Sequence, residues 1–556
     1  MMKKICTIIS LLYFGVTYAT IWSVGPAQTF TKPSDVVGLV SNGDTIEIHA
    51  DTYLGDFCIW SQNSLYFIGV GGYAHLDASG FTIPNQKAIW VIDGDDNVIE
   101  NIEFSGASVP DKNGAGIRMQ GTNLTIKHCY FHDNEDGILA GDNSNSDILI
   151  EYSVFSNNGY GDGLSHNMYI NHINSFTLQH CYSHNANVGH TVKTRAHNNY
   201  ILYNRIMDEG SGNASHLIDI PNGGKSFIIG NLVHQGPSAT NGSVISYGNE
   251  GLTNPNPELY VINNTMVNER NYCYDFVKIA SGTAMAKLFN NLFVDTLGSA
   301  VDCQITSYTG SLDTVSNILT DDPNVINLSG YDYGLMSSSI AIDAGTDPGF
   351  AGTYALLPQY EYLHTADLTL RNTSGAAIDI GAYEYIFPPC PFPMAGFSYS
   401  ANGLSVVFND SSIVTGNATY TWDFGDGSAL SNQQSYTYSV SGTYNVCLAV
   451  TDSCGTDTIC QDVVVTDSIA GILTDSERQT INVYPNPVED VLYFKWVSKT
   501  RLVINIYDSM GRLIQCFDLD EEYRVSADKY LEGIYFYRGL EKNGTQVLNG
   551  SFVVSR

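Results

Sequence analysis

Apolar and polar positions alternate over short stretches of the chain, and the pattern returns at a regular interval. Each occurrence is an apolar strand, a polar residue, an apolar or aromatic residue and a turn: VIENIEFSG, LTIKHCYFHDN, ILIEYSVFSNN, FTLQHCYSHNA, YILYNRIMDEG, FIIGNLVHQG, YVINNTMVN and KLFNNLFVD. The polar position, at intervals of 24 to 33 residues, is occupied by Asn101, His128, Tyr152, His180, Asn204, Asn231, Asn264 and Asn291. Self-similarity at such a period indicates a solenoid.

A second short strand follows each repeat after a turn rich in Gly, Asn or Asp. These strands are AGIRMQG, DGILAG, HNMYIN, HTVKTRA, HLIDIPN, SVISYG and DFVKIAS. No helical period fits between them, so the pattern predicts an all-β fold, a right-handed parallel β-helix whose coils bury their apolar side chains against one another. Amides stacked at one position of successive coils form hydrogen-bonded ladders, and we interpret the recurring polar position as structural.

The second strands share one register and place a column of residues on the outer face. Successive side chains of a strand point to opposite faces, so the residue after each buried apolar position points outward: Arg118, Leu139, Tyr169, Lys193, Asp219, Ser246 and Lys278. Two positions later come Asn171, Arg195 and Pro221, and three positions earlier come His166, His190 and His216. Because coils lie ~4.8 Å apart, the sequence predicts one patch that contains Tyr169, Lys193, Arg195, Asp219 and the histidines.

The net charge of the chain indicates which kind of ligand that patch would bind. The 556-residue chain has a formal net charge of −32, with only 15% charged residues. So acidic a chain argues against nucleic acid or an anionic membrane as a bulk partner. Two cations on one strand locally oppose this charge and indicate an anionic or electron-rich ligand.

The N-terminus has the pattern of an export signal. Lys3 and Lys4 precede an apolar stretch from residue 5 to 16, and a region of small residues for signal peptide cleavage follows over 17–20. This pattern predicts a secretory signal peptide over 1–20. The apolar stretch is too short to span a membrane, and we expect an exported monomer. Export permits disulfides, and one or two bridges are expected among Cys390, Cys447, Cys454 and Cys460. No cysteine pair has zinc-site spacing, so the sequence predicts no structural zinc.

The repeat weakens from Ser311. The stretches SSSIAIDAGT and AAIDIGAYEY resemble the segments that close bacterial β-helix domains, which predicts a β-helix domain over 21–387 that ends near Tyr385. FPPCPFP follows, and its prolines predict a stiff linker over 388–393.

Two further modules follow. Over 394–466, TWDFGDGS and GTYNVCLAV resemble a PKD domain, which implies an immunoglobulin-like β-sandwich. After a linker over 467–480, residues 481–556 contain YPNP, DSMGRLI and GIYFYR, which resemble the type IX secretion sorting domain of Bacteroidetes. That resemblance implies a small β-sandwich, a partnership with the type IX secretion machinery, and secretion or attachment at the cell surface.

The segment HTVKTRA resembles the catalytic lysine segment of the alginate lyase and chondroitinase B-type families. The resemblance implies a polysaccharide lyase that cleaves a uronic-acid-containing glycan by β-elimination. It implies Lys193 as base, Arg195 as clamp for the uronate carboxylate, and Tyr169 or His190 as acid. The predicted substrate-binding residues are Arg118, His166, His216, Asp219 and Asn171.

Three alternatives remain open at this stage. Lys193 and Asp219 could form a structural ion pair beside a histidine ladder. A glycoside hydrolase would need two carboxylates facing one groove, for which Asp219 with Glu250 or Asp162 is the candidate pair. A non-catalytic glycan-binding or adhesin-like surface protein is the third alternative. Ca²⁺ is possible as a cofactor, at Asp219 or in the DGDD turn that begins at Asp93, although no second acid clusters with Asp219.

Overall fold

The computed structural model describes residues 19–297, 303–387, 391–467, 481–497, 500–509, 511–541 and 546–555. The chain divides into two compact units, Met1–Ile386 and Phe387–Arg556. Within the described ranges the regular elements are strands and three short 3-10 helices at Pro33–Asp35, Leu328–Gly330 and Ala527–Lys529. None of the described helices is long and apolar enough to cross a membrane. The predicted signal peptide lies outside the described residues, apart from its last two positions.

The first unit is a parallel β-helix built from three sheets, and this confirms the predicted fold class. The first sheet contains Ile21–Val24, Thr45–His49, Tyr66–Val70, Asn97–Glu100, Leu124–Lys127, Asn143–Glu151, Ile173–Gln179, Asn198–Leu202, Lys225–Ile229, Glu258–Ile262, Met285–Phe289 and Leu312–Val315. The second contains Cys58–Trp60, Ala88–Ile92, Ala115–Met119, Asp136–Ala140, Met168–Ile170, Val192–Thr194, Ile218–Ile220, Ser243–Tyr247 and Asp275–Ile279. The third contains Thr52–Leu54, Ala74–Asp77, Ile102–Ser105, Tyr130–His132, Val154–Ser156, Tyr182–His184, Arg205–Met207, Leu232–Gln235, Thr265–Asn268, Leu292–Asp295 and Ile318–Thr320.

The interior of the β-helix is filled by like side chains stacked from coil to coil. Phe104, Phe131 and Phe155 lie face to face, with ring centroids 5.0 and 4.7 Å apart. Trp60 and Trp90 are fully buried at the N-terminal end. Burial at ~25 cal/mol per Å² makes this core the main stabilising term, and it fixes the register in which outer side chains meet.

The recurring polar position, predicted as one column, is in fact two columns one residue apart. The predicted alignment is therefore wrong by one position from Asn204 onward. The first is a turn position with positive φ: Asn101, His128, Tyr152, His180, Tyr203, Gly230, Asn263 and Asn290. The second, one residue later, forms an asparagine ladder of Asn204, Asn231, Asn264, Asn291 and Asn317. The two were merged because asparagine suits both the left-handed turn and the ladder.

The asparagine ladder is self-contained, as predicted for a structural column. The Asn231 Oδ1 accepts hydrogen bonds from the backbone N–H and the side-chain amide of Asn204, at 2.9 and 3.0 Å. Its Nδ2 donates to the carbonyl oxygen of Ile201 at 2.8 Å. Each amide thereby satisfies buried backbone groups that would otherwise cost ~1–3 kcal/mol.

The segment after the last coil folds back along the side of the β-helix. Its hairpins are Val325–Asn327 with Asp332–Leu335, Phe350–Ala351 with Tyr354–Ala355, and Tyr360–Leu363 with Asp367–Leu370. Tyr360 packs edge-on against His180 at 5.5 Å, and the Asn263 Nδ2 donates to the carbonyl oxygen of Asp379 at 2.8 Å. We call residues 323–386 the lateral cover.

The second unit consists of two β modules. The first pairs Phe397–Asn402, Ser405–Asp410 and Ser435–Thr437 in one sheet and Thr419–Asp423, Gly442–Asp452 and Gly455–Val465 in the other. The second pairs Ile481–Tyr484, Val491–Trp496 and Glu522–Ser526, and Leu513–Leu519, Leu502–Tyr507, Gly533–Leu540 and Gln546–Val554. These arrangements agree with the sandwiches expected from the sequence.

The disulfides agree in part with the cysteine prediction. Cys447 is bonded to Cys460, and Cys454 is also disulfide-bonded, while Cys390 lies outside the described residues. A further bridge, Cys273 to Cys303 in the β-helix, was not predicted. Neither cysteine lies in the repeat strands that were aligned, so the repeat pattern did not pair them.

Candidate functional site

The outward column on the second sheet has the predicted register. Arg118 pairs with Leu139, Leu139 with Tyr169, and the remaining partners continue in order: Lys193, Asp219, Ser246 and Lys278. Strand alternation therefore brings Tyr169, Lys193 and Asp219 side by side on three consecutive coils. Only 13% of the Lys193 side chain and 6% of the Asp219 side chain are exposed, so the charges lie in a partly desolvated surface.

Lys193 lies between two carboxylates. Its Nζ is 3.8 Å from the Asp219 Oδ2 and 3.8 Å from the Glu250 Oε1. The Nζ also lies 5.5 Å from the centre of the Tyr169 ring. The predicted contact with Asp219 is present, and Glu250 adds a second negative charge on the solvent side.

Arg195 is held by hydrogen bonds on three sides. Its Nε donates to the Tyr169 hydroxyl at 2.8 Å, its Nη1 donates to the Asn222 Oδ1, and its Nη2 donates to the Glu250 Oε2 at 2.7 Å. Partial burial alone would lower the pKa of Arg195, but the hydrogen bonds to Glu250 and Tyr169 outweigh it and the pKa is raised. Arg195 is therefore a fixed cation, and we call Tyr169, Lys193, Arg195, Asp219 and Glu250 the Lys193 patch.

The three histidines form a stacked ladder beside the patch, as their spacing predicted. The rings of His166 and His190 are 5.0 Å apart and those of His190 and His216 are 5.5 Å apart. The His190 backbone N–H donates to the His166 Nδ1 at 2.9 Å, and the His216 backbone N–H donates to the His190 Nδ1 at 3.1 Å. Burial first, and then neighbouring positive charge, lowers the pKa of His166 and His190 well below the usual value. Both rings are neutral at pH 7.

The ladder fixes the tautomer of His190. Because its Nδ1 accepts a hydrogen bond, the neutral ring carries its proton on Nε2, which lies 3.5 Å from the Asp219 Oδ2. One nitrogen of His190 is therefore committed by a hydrogen bond, and the other faces the Asp219 carboxylate. The His216 Nδ1 donates to the carbonyl oxygen of Ser243 at 2.8 Å, so that ring is also engaged.

Two of the predicted binding residues lie apart from Lys193 or are engaged locally. Arg118 is three strands away along the column, ~14 Å by strand spacing. Burial lowers the pKa of Arg118, and the nearby Asp136 partly opposes this shift. Asn171 lies beside Arg195 in register, but its Oδ1 accepts a hydrogen bond from the next residue's N–H at 2.9 Å.

Glu250 and Asn222 complete the patch in roles that the sequence reasoning did not assign. Glu250 was considered only as a carboxylate partner of Asp219, and Asn222 was not considered. The sequence contained one signal for Glu250, the unusually long interval of 33 residues between Asn231 and Asn264. This interval reflects the ten-residue connection 248–257, which contains Glu250. The corresponding connection in the previous coil, 221–224, has four residues.

The two acidic positions considered for Ca²⁺ are already engaged. Asp219 contacts Lys193 and His190. In the DGDD turn, the side-chain oxygens of Asp93, Asp95 and Asp96 accept hydrogen bonds from the next coil. The donors are the Gln120 side chain, the Thr122 backbone and the Asn123 side chain, each at 2.8 Å. These carboxylates join coils at the turn.

Three family profiles match the chain in order. A right handed beta helix region matches residues 65–212, a PKD domain matches 390–466, and a secretion system C-terminal sorting domain matches 482–554. The sorting domain indicates type IX secretion, to the cell surface or beyond it. A search of curated proteins found no significant match.

A search of solved structures found enzymes and single modules. Pectate lyase Pel9A has 15% identity and a TM-score of 0.47, over 67% of this chain and 98% of its own. An alginate lyase from Paenibacillus sp. strain FPU-7 has 13% identity and a TM-score of 0.29, over 54% and 99%. The PKD1 domain of Vibrio anguillarum Epp has 33% identity and a TM-score of 0.13, over 14% and 99%. The chain is thus an exported β-helix protein with a PKD domain and a type IX sorting domain.

Proposed function

We propose that the protein is a polysaccharide lyase that cleaves a uronic-acid-containing glycan at the Lys193 patch. One observation carries the proposal: Lys193 lies on the strand Val192–Thr194, Arg195 follows that strand directly, and the Arg195 Nε donates a hydrogen bond to Tyr169 of the preceding coil. β-Elimination needs a base for the C5 proton, a cation for the adjacent carboxylate and an acid for the leaving oxygen. These three side chains supply those three groups.

Arg195 binds the uronate carboxylate in exchange for Glu250. The Glu250 side chain is 50% exposed and accepts the Nη2 hydrogen bond that a substrate carboxylate would accept. Exchanging one carboxylate for another keeps a charge-assisted hydrogen bond. Tyr169 and Asn222 hold the guanidinium in place while Glu250 leaves.

Lys193 removes the C5 proton as a free amine. In the resting patch the Lys193 Nζ lies 3.8 Å from the Asp219 and Glu250 carboxylates, and displacement of Glu250 opens one side of the Nζ to the C5 proton. The electrons of the C5–H bond form the C4–C5 double bond as the C4–O bond breaks.

Tyr169 is the better of the two predicted acids. Arg195 donates to the phenol oxygen, which leaves the Tyr169 O–H free to donate its proton to the leaving oxygen at C4. His190 has its Nδ1 occupied by the backbone of His216 and its Nε2 directed at Asp219. The geometry favours proton donation by Tyr169, with the histidine ladder as its support.

The test uses the mature chain, residues 21–556, with polygalacturonate, alginate, a glycosaminoglycan and a neutral glucan. Reducing ends and the ultraviolet absorbance of the new double bond are followed together, with Ca²⁺ or with a chelator. A rise in both signals with an acidic glycan, lost in Tyr169→Phe by ~10²-fold or more, supports the proposal. Binding without cleavage of any glycan overturns it and leaves a glycan-binding surface protein.

A glycoside hydrolase is the second candidate, and one distance favours it. The Asp219 Oδ2 and the Glu250 Oε1 each lie 3.8 Å from the Lys193 Nζ, so they are at most about 7.6 Å apart. Paired carboxylates of glycosidases are separated by ~5–9.5 Å. Reducing ends without the double-bond absorbance, abolished by Asp219→Asn, would establish this reaction instead.

A further inference from the structure

Three side chains converge on the outer face of the third sheet, away from the Lys193 patch. His75 lies on Ala74–Asp77, Glu103 on Ile102–Ser105 and His132 on Tyr130–His132, which are neighbouring strands of three successive coils. One ligand atom from each lies within 4.8 Å of the other two. Their side chains are only 17–23% exposed.

The register explains why they meet. Glu103 stands directly beside His75, and His132 is two positions further along the next strand, where strand alternation keeps it on the same outer face. The His132 ring packs on Tyr130 at 4.4 Å, which directs it back towards Glu103. The His75 Nε2 and the His132 Nε2 lie 3.8 and 2.9 Å from the Glu103 Oε1.

The partners of His132 point to a cation in this cluster. Its Nε2 is 2.9 Å from Glu103 and its Nδ1 is 2.7 Å from the Asp133 Oδ2. A neutral imidazole has one N–H and can donate to only one of these carboxylates. With Nδ1–H donating to Asp133, the Nε2 lone pair faces Glu103 and is available to a metal. A carboxylate on the far nitrogen is the usual support of a metal-binding histidine.

We propose that His75, Glu103 and His132 bind a divalent first-row transition ion, with Zn²⁺ as the reference ion. Imidazole nitrogen and carboxylate oxygen together suit zinc, copper or nickel, whereas calcium and magnesium take oxygen ligands. Metal–ligand distances of ~2.0–2.2 Å require the three atoms to draw closer together, which side-chain rotation can achieve on fixed strands. Three protein ligands leave the fourth position open to water.

The ion would join three coils near the N-terminal end of the β-helix. Ser105, which is almost fully buried, has its hydroxyl 2.7 Å from the His75 Nε2, and the metal would take the place of this hydrogen bond. The three ligands lie on paired strands, so binding should need no change of backbone. The site lies on a different sheet from Lys193 and does not depend on the proposed lyase activity.

The test uses untagged mature protein stripped with a chelator and titrated calorimetrically with Zn²⁺. We expect one ion per chain, a raised unfolding temperature, and binding at least tenfold weaker in Glu103→Gln. His172→Gln is the matched control, because His172 lies 3.6 Å from Asp142 in another His–Asp pair, outside the cluster. It should bind Zn²⁺ as the natural chain does.

A spectroscopic measurement keeps the proposal open to refutation if a variant fails to fold. Co²⁺ added to the natural chain should give the intense visible bands of a four-coordinate site, and Zn²⁺ should displace them. No stoichiometric binding, or binding that Glu103→Gln leaves unchanged, would overturn the proposal. The cluster would then be a set of hydrogen-bonded side chains on neighbouring coils.

Discussion

The asparagine ladder and the Lys193 patch are both columns of polar side chains repeated once per coil, but their partners differ. In the ladder one residue type recurs, and each amide binds the backbone and the amide of adjoining coils. In the patch every coil contributes a different residue, and charged groups bind one another at a partly exposed surface. A column that repeats one residue type has a structural role, because its side chains bind the backbone of the fold. A column whose residues vary on an outward face can form a binding or catalytic site.

The largest effect should come from removing the proposed base. Lys193→Ala should lower kcat/KM by ~10²–10⁴-fold, the usual contribution of a positioned acid or base, in protein that is still folded. Lys225→Ala is the control, since Lys225 also pairs with a carboxylate, at 3.2 Å, but on the first sheet. If the two variants were equally active, the Lys193 patch would have a structural role, like the asparagine ladder, and Lys193 would not be the base.

The second effect tests the ladder. Asn231→Ala leaves the backbone N–H and the amide of Asn204 without their buried acceptor, so the free energy of unfolding should fall by about 2–4 kcal/mol. Denaturant unfolding measures it. Asn317→Ala should cost less, because Asn317 is half-buried and water can replace its oxygen. A larger loss at Asn317 would contradict the role given to burial.

A third effect concerns pH. Burial lowers the pKa of His180 to about 4, against the weaker influence of Glu151 and Asp367. The unfolded chain protonates near its ordinary value of ~6.5, so stability is full above that pH and is lost as pH falls towards 4. His180→Tyr introduces the residue that the neighbouring coils have at this position. It should reduce the loss of unfolding free energy between pH 6.5 and 5 by roughly 2 kcal/mol. An unchanged slope in denaturant titrations between pH 6.5 and 5 would contradict the assignment.

The smallest effect should come from Glu250→Gln. The amide can still accept from Arg195, and exposed ion pairs contribute ~0–1 kcal/mol, so kcat/KM should change by less than about fivefold. Measured kcat and KM on the best glycan would check this. A loss as large as that of Lys193→Ala would make Glu250 a catalytic group and favour the hydrolase.

The sequence predicted the parts of the molecule that depend on local periodicity. Strand alternation placed Tyr169, Lys193 and Asp219 in one column, and the structure confirms that register. It did not place Glu250, because a connection of ten residues has no period from which its direction follows. It also did not resolve the two polar columns, since asparagine is favourable at both positions.

The metal cluster was missed for a related reason. His75, Glu103 and His132 are separated by 28 and 29 residues, which is unlike the short spacings that identify zinc sites in sequences. The repeats gave the coil length, but the aligned repeats began with VIENIEFSG, so the strand that contains His75 was not among them. Long-range ligand sets in solenoids are visible from sequence only when every coil has been aligned strand by strand.

The lateral cover has a consequence for how the β-helix opens. In a solenoid each repeat contacts only its neighbours, so coils can fray one at a time from an end. Here one late segment contacts coils from His180 to Asn290. Opening any of those coils requires release of the shared segment as well. The middle and C-terminal coils should therefore exchange their amide hydrogens as one cooperative unit, while the coils before them open independently.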